Sequence, residues 1–150
     1  MANKTVVDIF VDGAKKGWAV AVGSVLPNVL MAFIVIEALN VTGLLKWIGT
    51  TFAPIMSVFG LPGEGLVVLL SAFMSMGGGA GAAVRLYTEN VLTPEHLTIL
   101  LPAIFLMGAL MQYMGRLLGT AEVNKRYYPI LFLIAIVNAM LSMLVMRFLV

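Results

Sequence analysis

The sequence predicts an all-α integral membrane protein, and two observations carry that expectation. Of its 150 residues, 61% are hydrophobic and only 11% are charged, whereas a soluble domain devotes about a quarter of its residues to Asp, Glu, Lys and Arg. So little charge cannot cover an aqueous surface, and the apolar excess has to face lipid. Uncharged apolar runs of helical length also recur from Trp18 onward, and a helix needs about 20 apolar residues to cross the hydrocarbon core. The length suits one compact unit of about three to five membrane segments, which leaves no room for a second domain.

Composition excludes several function classes. Cysteine is absent, which rules out disulfides, thiolate chemistry and Cys-based zinc or iron–sulfur sites. The net charge is only +2 and scattered, too weak a field to argue for nucleic acid. The N-terminal MANKTVVDIF lacks a basic start, apolar run and small-residue cleavage site, so it is expected to stay on the mature protein.

Over residues 3–17, Val6, Val7, Phe10, Val11 and Ala14 recur at helical spacing while Asp8, Asp12, Lys15 and Lys16 take the other face. An amphipathic helix in the headgroup plane is expected, with Trp18 as an interfacial anchor. Residues 18–39 form the first transmembrane helix, bent at Pro27, with Asn28 beside the kink and Glu37 near the far end. Residues 44–59 are too short and too proline-broken to span and are expected as a second interfacial helix. The turn LPGEG follows.

Residues 63–89 are expected to form a re-entrant hairpin. The apolar run Leu66 to Met76 ends in Gly77, Gly78, Gly79, Ala80 and Gly81, and glycine gives up about 1 kcal/mol of helix propensity per residue. The backbone around 77–81 is therefore expected to stop being helical, with Ala80 to Tyr87 as the returning arm. The rival arrangement is one span from Leu66 to Val84 whose glycines serve close helix packing. Thr93-Pro94-Glu95 is a helix start with hydroxyl cap, proline and early acid. It opens a broken transmembrane helix over 94–118, carrying Pro102, Gly108 and Gln112, and residues 129–147 form the last transmembrane helix.

Charge separates the two hairpin arrangements. With a re-entrant hairpin, Lys4, Lys15, Lys16, Arg116, Lys125 and Arg126 share the side of the N-terminus, six of the nine Lys and Arg. With a fourth crossing the division is five against four. The positive-inside rule prefers the larger asymmetry and sets the N-terminus in the cytoplasm.

Non-helical backbone at membrane depth survives only inside protein or along a water-filled cavity, and broken helices in transporters surround substrate there. Ser75, Gly77, Gly78 and Gly79 are the first candidate binding residues, together with Asn28. The polar stretch QYMGRLLGTAE and its neighbours add Gln112, Arg116, Thr120, Glu122 and Asn124. Arg116 has the alternative of a snorkelling anchor, and Asn28 that of an interhelical hydrogen bond. Glu37 reads as an interfacial carboxylate, with the alternative of a cation or proton site, and His96 as a solvated first-turn residue, with the alternative of a proton relay. No GxSxG, HExxH, P-loop or dinucleotide fingerprint occurs, so neither catalysis, a cofactor nor a bound metal is expected.

The segments LPNVLMAFIVIEAL, GLPGEGLVVLLSAFMSMGGGAG, LLPAIFLMG and MGRLLGTAEVNKRYYP resemble the small bacterial inner-membrane proteins of the YjiG and spore maturation protein B type. Their Gate, or nucleoside recognition, domain is shared with concentrative nucleoside transporters and ferrous iron permeases. The resemblance implies one inverted-repeat half of a transport core: span, interfacial helix, re-entrant hairpin, broken helix and final span. It implies as partners the lipid bilayer and a second Gate-domain membrane protein, and a homo-oligomer also fits. No nucleoside-contacting residue can be carried over by position. The expected function is a subunit of a small-solute transporter; the alternative is a non-transporting membrane scaffold or regulatory subunit.

Overall fold

The structure, a computed structural model, describes residues 5–150, and the side chains of residues 115–117, 119 and 120 lie outside the described set. Its helices are α1 (Val6–Val20), α2 (Leu26–Val41), α3 (Leu44–Ser57), α4 (Gly65–Met74), α5 (Met76–Thr88), α6 (Pro94–Met107), α7 (Leu110–Thr120) and α8 (Tyr128–Leu149). No strand occurs among the described residues.

Local chemistry accounts for most boundaries. A reciprocal cap opens α1: the Thr5 hydroxyl accepts from the Asp8 amide at 3.2 Å, and the Asp8 carboxylate accepts from the Thr5 amide at 2.9 Å. Gly43 and Gly60 take left-handed backbone with φ of 74° and 73°, which lets the chain turn on either side of α3 without a Cβ clash. Thr93 caps α6, and Pro94 occupies its first turn, where a missing amide hydrogen costs nothing.

Between α1 and α2 no turn occurs. A single wide turn of π-helix, Ala21–Val25, joins them, so helical backbone is continuous from Val6 to Val41. The expected separation of an interfacial helix over 3–17 from a span over 18–39 is therefore absent, and residues 3 and 4 lie outside the described residues. Pro27 explains the local widening: it brings no amide hydrogen to the preceding turn, and the Leu26 amide reaches five residues back to the Ala21 carbonyl.

From its first turn onward α2 lies along α5, with the positions of Gly77 and Gly81 against Asn28 and Val29. Arg85 reaches Glu37 further along, so the two helices run parallel. The end of α4 meets the start of α8 through Phe73 and Phe132, whose ring centroids are 6.3 Å apart. At the other end of α8, Arg147 reaches the end of α3, which makes α8 antiparallel to α4. Ile36, Val68, Leu86, Leu100 and Met143 are fully buried where α2, α4, α5, α6 and α8 converge.

Three helical runs are long and apolar enough to cross a membrane: Val6–Val41, Pro94–Met114 and Lys125–Leu149. They expose large apolar side chains such as Ile34, Leu101, Phe105, Leu133 and Val145, as lipid-facing helices do and soluble ones do not. The chain is an all-α integral membrane protein. By contrast α4 has ten residues, about 15 Å at 1.5 Å per residue, half of a hydrocarbon core of about 30 Å.

Candidate functional site: two facing helix breaks

Two helices are interrupted at the same level of the molecule. The first break is Ser75, whose extended backbone (φ −157°, ψ 131°) separates α4 from α5. The second is Gly108–Ala109, between α6 and α7, where Ala109 is left-handed at φ 55°. They face each other. The Ala109 amide donates to the Ala72 carbonyl at 2.8 Å, and a Cβ added at Gly108 would lie 2.9 Å from the Met76 side chain. Each interruption thus satisfies part of the other's exposed backbone, as an apolar setting demands.

The first break falls elsewhere than the glycine content predicts. Gly77, Gly78, Gly79 and Gly81 are helical, inside α5. A Cβ at Gly79 would sit 2.5 Å from the Ala72 Cβ, and one at Gly81 would lie 3.1 Å from Val29. These glycines bring α5 into close contact with α4 and α2, and that packing overrides their poor helix propensity. The interruption itself rests on Ser75, whose hydroxyl accepts from the Gly78 amide at 3.3 Å and caps α5. Similarly, the α6 helix passes Pro102 without ending and stops at Gly108.

Polar groups gather at this level. Asn28 and Ser75, both half-buried, and Ser71 line a cavity of about 370 Å³ between α2 and α4, whose remaining wall is apolar, including Met31, Val35 and Met74. Gly78 also lines it. Gln112, on α7, directs its side-chain amide to the Met74 carbonyl at 3.5 Å, next to Ser75. Among the described residues, no ionisable side chain lines the cavity. Asn28, Ser75 and Gly78 thus share the cavity, Gly77 lies beside Asn28, and Gln112 reaches the backbone next to Ser75, whereas Gly79 is packed against Ala72.

The other candidates lie on α7 or in the loop after it. The α7 helix carries Arg116 and Thr120, but their side chains lie outside the described residues. Glu122 is exposed in the loop after α7, with φ 51°. Asn124 accepts from the Arg126 amide at 3.0 Å and caps the 3₁₀ turn Lys125–Tyr127. Its amide serves local geometry because an Asn before a turn bonds two residues ahead more readily than across the fold.

Three polar arrangements escaped the sequence reading. Arg85 contacts Glu37 of α2 and, at 2.8 Å, Glu89 one turn on in its own helix, which ties α5 to α2. A pair 48 residues apart leaves no signal in a single sequence, although the i, i+4 spacing of Arg85 and Glu89 does. Arg147 donates to the Ser57 carbonyl at 3.2 Å and also to that of Val58, closing the end of α3 from α8. Finally, the ring nitrogen Nδ1 of His96 accepts from the Thr93 amide at 3.1 Å. The histidine completes a reciprocal cap of the type usually made by Glu or Gln.

Comparison with known proteins identifies the family. Residues 22–121 match the family model Gate, described as nucleoside recognition; the matched stretch contains both helix breaks. The chain is also 51% identical over 148 residues to inner membrane protein YjiG of Escherichia coli strain K12, covering 99% of this chain and 97% of the relative. The YjiG protein of Escherichia coli O157:H7 matches to the same extent. No solved structure matches. The chain is therefore a bacterial inner-membrane protein that belongs to the Gate family.

Proposed function

We propose that the chain is one subunit of a membrane transporter for a small solute, which occupies the level of the two facing helix breaks. The observation that carries this reading is the bond from the Ala109 amide to the Ala72 carbonyl, which pairs the break at Ser75 with the one at Gly108–Ala109. Such breaks leave helix ends and side-chain amides free to contact a solute. The short α4 favours a re-entrant hairpin over a full crossing, which brings the breaks near mid-membrane. Asn28, Ser75 and Gln112 are the residues assigned to the solute, with no catalytic role.

The cavity between α2 and α4 is open at its side, and three spans enclose little volume on their own. The functional unit accordingly includes a second Gate-domain membrane protein or a further copy of this chain. The N-terminus is assigned to the cytoplasm on the distribution of Lys and Arg.

The test is reconstitution with such a partner in proteoliposomes and an uptake screen over nucleosides, amino acids, organic acids and divalent metals. Uptake of one class, lowered at least tenfold by Ser75→Ala or Gln112→Ala, is the expected result. Uptake of none of them favours the alternative of a membrane scaffold, for which the close glycine packing of α5 on α2 and α4 is the supporting observation.

A further inference from the structure

The continuous helix from Val6 to Val41 is too long for the bilayer it crosses. Its 36 residues extend about 54 Å at 1.5 Å per residue, against a hydrocarbon core of about 30 Å. Since α2 packs on α5 inside the molecule, the excess falls on α1. None of the α1 residues is buried, and Val6, Phe10 and Trp18 are 84%, 76% and 73% exposed.

Sequence order around α1 is not random. At about 100° per residue, Val6, Val7, Ile9, Phe10, Trp18 and Val20 fall within an arc of about 200°, and Asp8, Asp12, Lys15 and Lys16 crowd into about 100° of the remainder. An apolar arc that wide is not a water-facing surface. The joint to α2 is itself suited to bending. It combines a π turn with Gly23, around which no atom lies within 4 Å of a would-be Cβ, and with Pro27 just beyond, and helices kink at π turns and prolines.

We propose that in the membrane α1 leaves the line it shares with α2 in the structure, bends at Ala21–Val25 and docks on the membrane surface, its apolar arc sunk into the lipid interface and its charged edge in water. Direct continuity with a spanning helix is what selects lipid as the occupant, because it fixes the end of α1 at the headgroup level. Two acids balance two bases along the charged edge, so docking is driven by apolar area and needs no anionic lipid. This inference is independent of the solute site.

The absence of cysteine makes the test direct. Nitroxide labels are placed singly at Phe10→Cys, Ala14→Cys, Lys15→Cys and Lys16→Cys in the full-length protein in phosphatidylcholine vesicles. Their accessibility to oxygen and to a water-soluble nickel chelate is then compared. Oxygen is expected to dominate at positions 10 and 14 and the nickel chelate at 15 and 16. Nickel access at all four positions means a helix projecting into water and overturns the proposal. Oxygen dominance at all four, or exclusion of both probes at 10 and 14, also overturns it, the former meaning immersion in the core and the latter a protein partner.

Discussion

The amide of Ala109 donates to the carbonyl of Ala72 at 2.8 Å, a bond between residues 37 apart in the chain that joins the two helix interruptions. In an unbroken helix that carbonyl would accept from Met76; the extended Ser75 withdraws Met76 and leaves it to Ala109. The bond requires left-handed backbone at a residue with a Cβ, a conformation that costs roughly 1–2 kcal/mol. Ala109→Val, whose branched side chain tolerates that conformation less, is expected to lower stability by about 1–2 kcal/mol. Ala109→Gly is expected to preserve it. Thermal unfolding of the two purified variants in detergent checks the contrast.

Gly77 and Gly79 are two residues apart but differ in surroundings. A Cβ at Gly79 would lie 2.5 Å from the Ala72 Cβ and 2.7 Å from its Cα, while one at Gly77 would have nothing closer than 3.7 Å. Gly79→Ala must push α4 and α5 apart and is expected to cost about 1–3 kcal/mol. Gly77→Ala is expected to be neutral or slightly stabilising, since alanine is the better helix former. The same unfolding measurement separates them.

Arg85 holds two carboxylates, one on α2 and one on its own helix. Because Glu37 is half exposed, Glu37→Gln is expected to cost no more than about 1 kcal/mol. Arg85→Gln leaves both acids without their counter-charge and is expected to destabilise several-fold more, a difference visible in unfolding midpoints at neutral pH.

Arg147 caps the carbonyls of Ser57 and Val58 from the far end of α8. Arg147→Ala is expected to remove about 1–3 kcal/mol of charge-assisted hydrogen bonding and to speed amide exchange at residues 57–61, without altering exchange in α5.

Much of this architecture is legible in the sequence because lipid imposes a simple rule: apolar runs of spanning length become helices. Thr93 and Pro94 announce α6 for the same local reasons that operate in the structure. The position of the first break was not legible. Glycine density pointed to residues 77–81, but the same residue type that weakens a helix also permits helices to touch, and at Gly79 and Gly81 the second effect wins. The grouping of Asn28, Ser75 and Gln112 follows from helix order once both breaks are located. Asn124 and Glu122 looked equally polar, yet they belong to the loop chemistry after α7. The bond of Arg85 to Glu37 depends on the register between α2 and α5, which no local pattern encodes.

A solute site at the two breaks requires water to reach the level of Ser75 in the membrane. Single Ser75→Cys and Leu133→Cys variants, each the only thiol in the chain, can be treated in membrane vesicles with a small hydrophilic thiol reagent. Labelling at 75 with protection at 133, a lipid-exposed position on α8, is the predicted result. Protection at both positions would mean a dry, packed centre and would contradict a solute site at the two breaks.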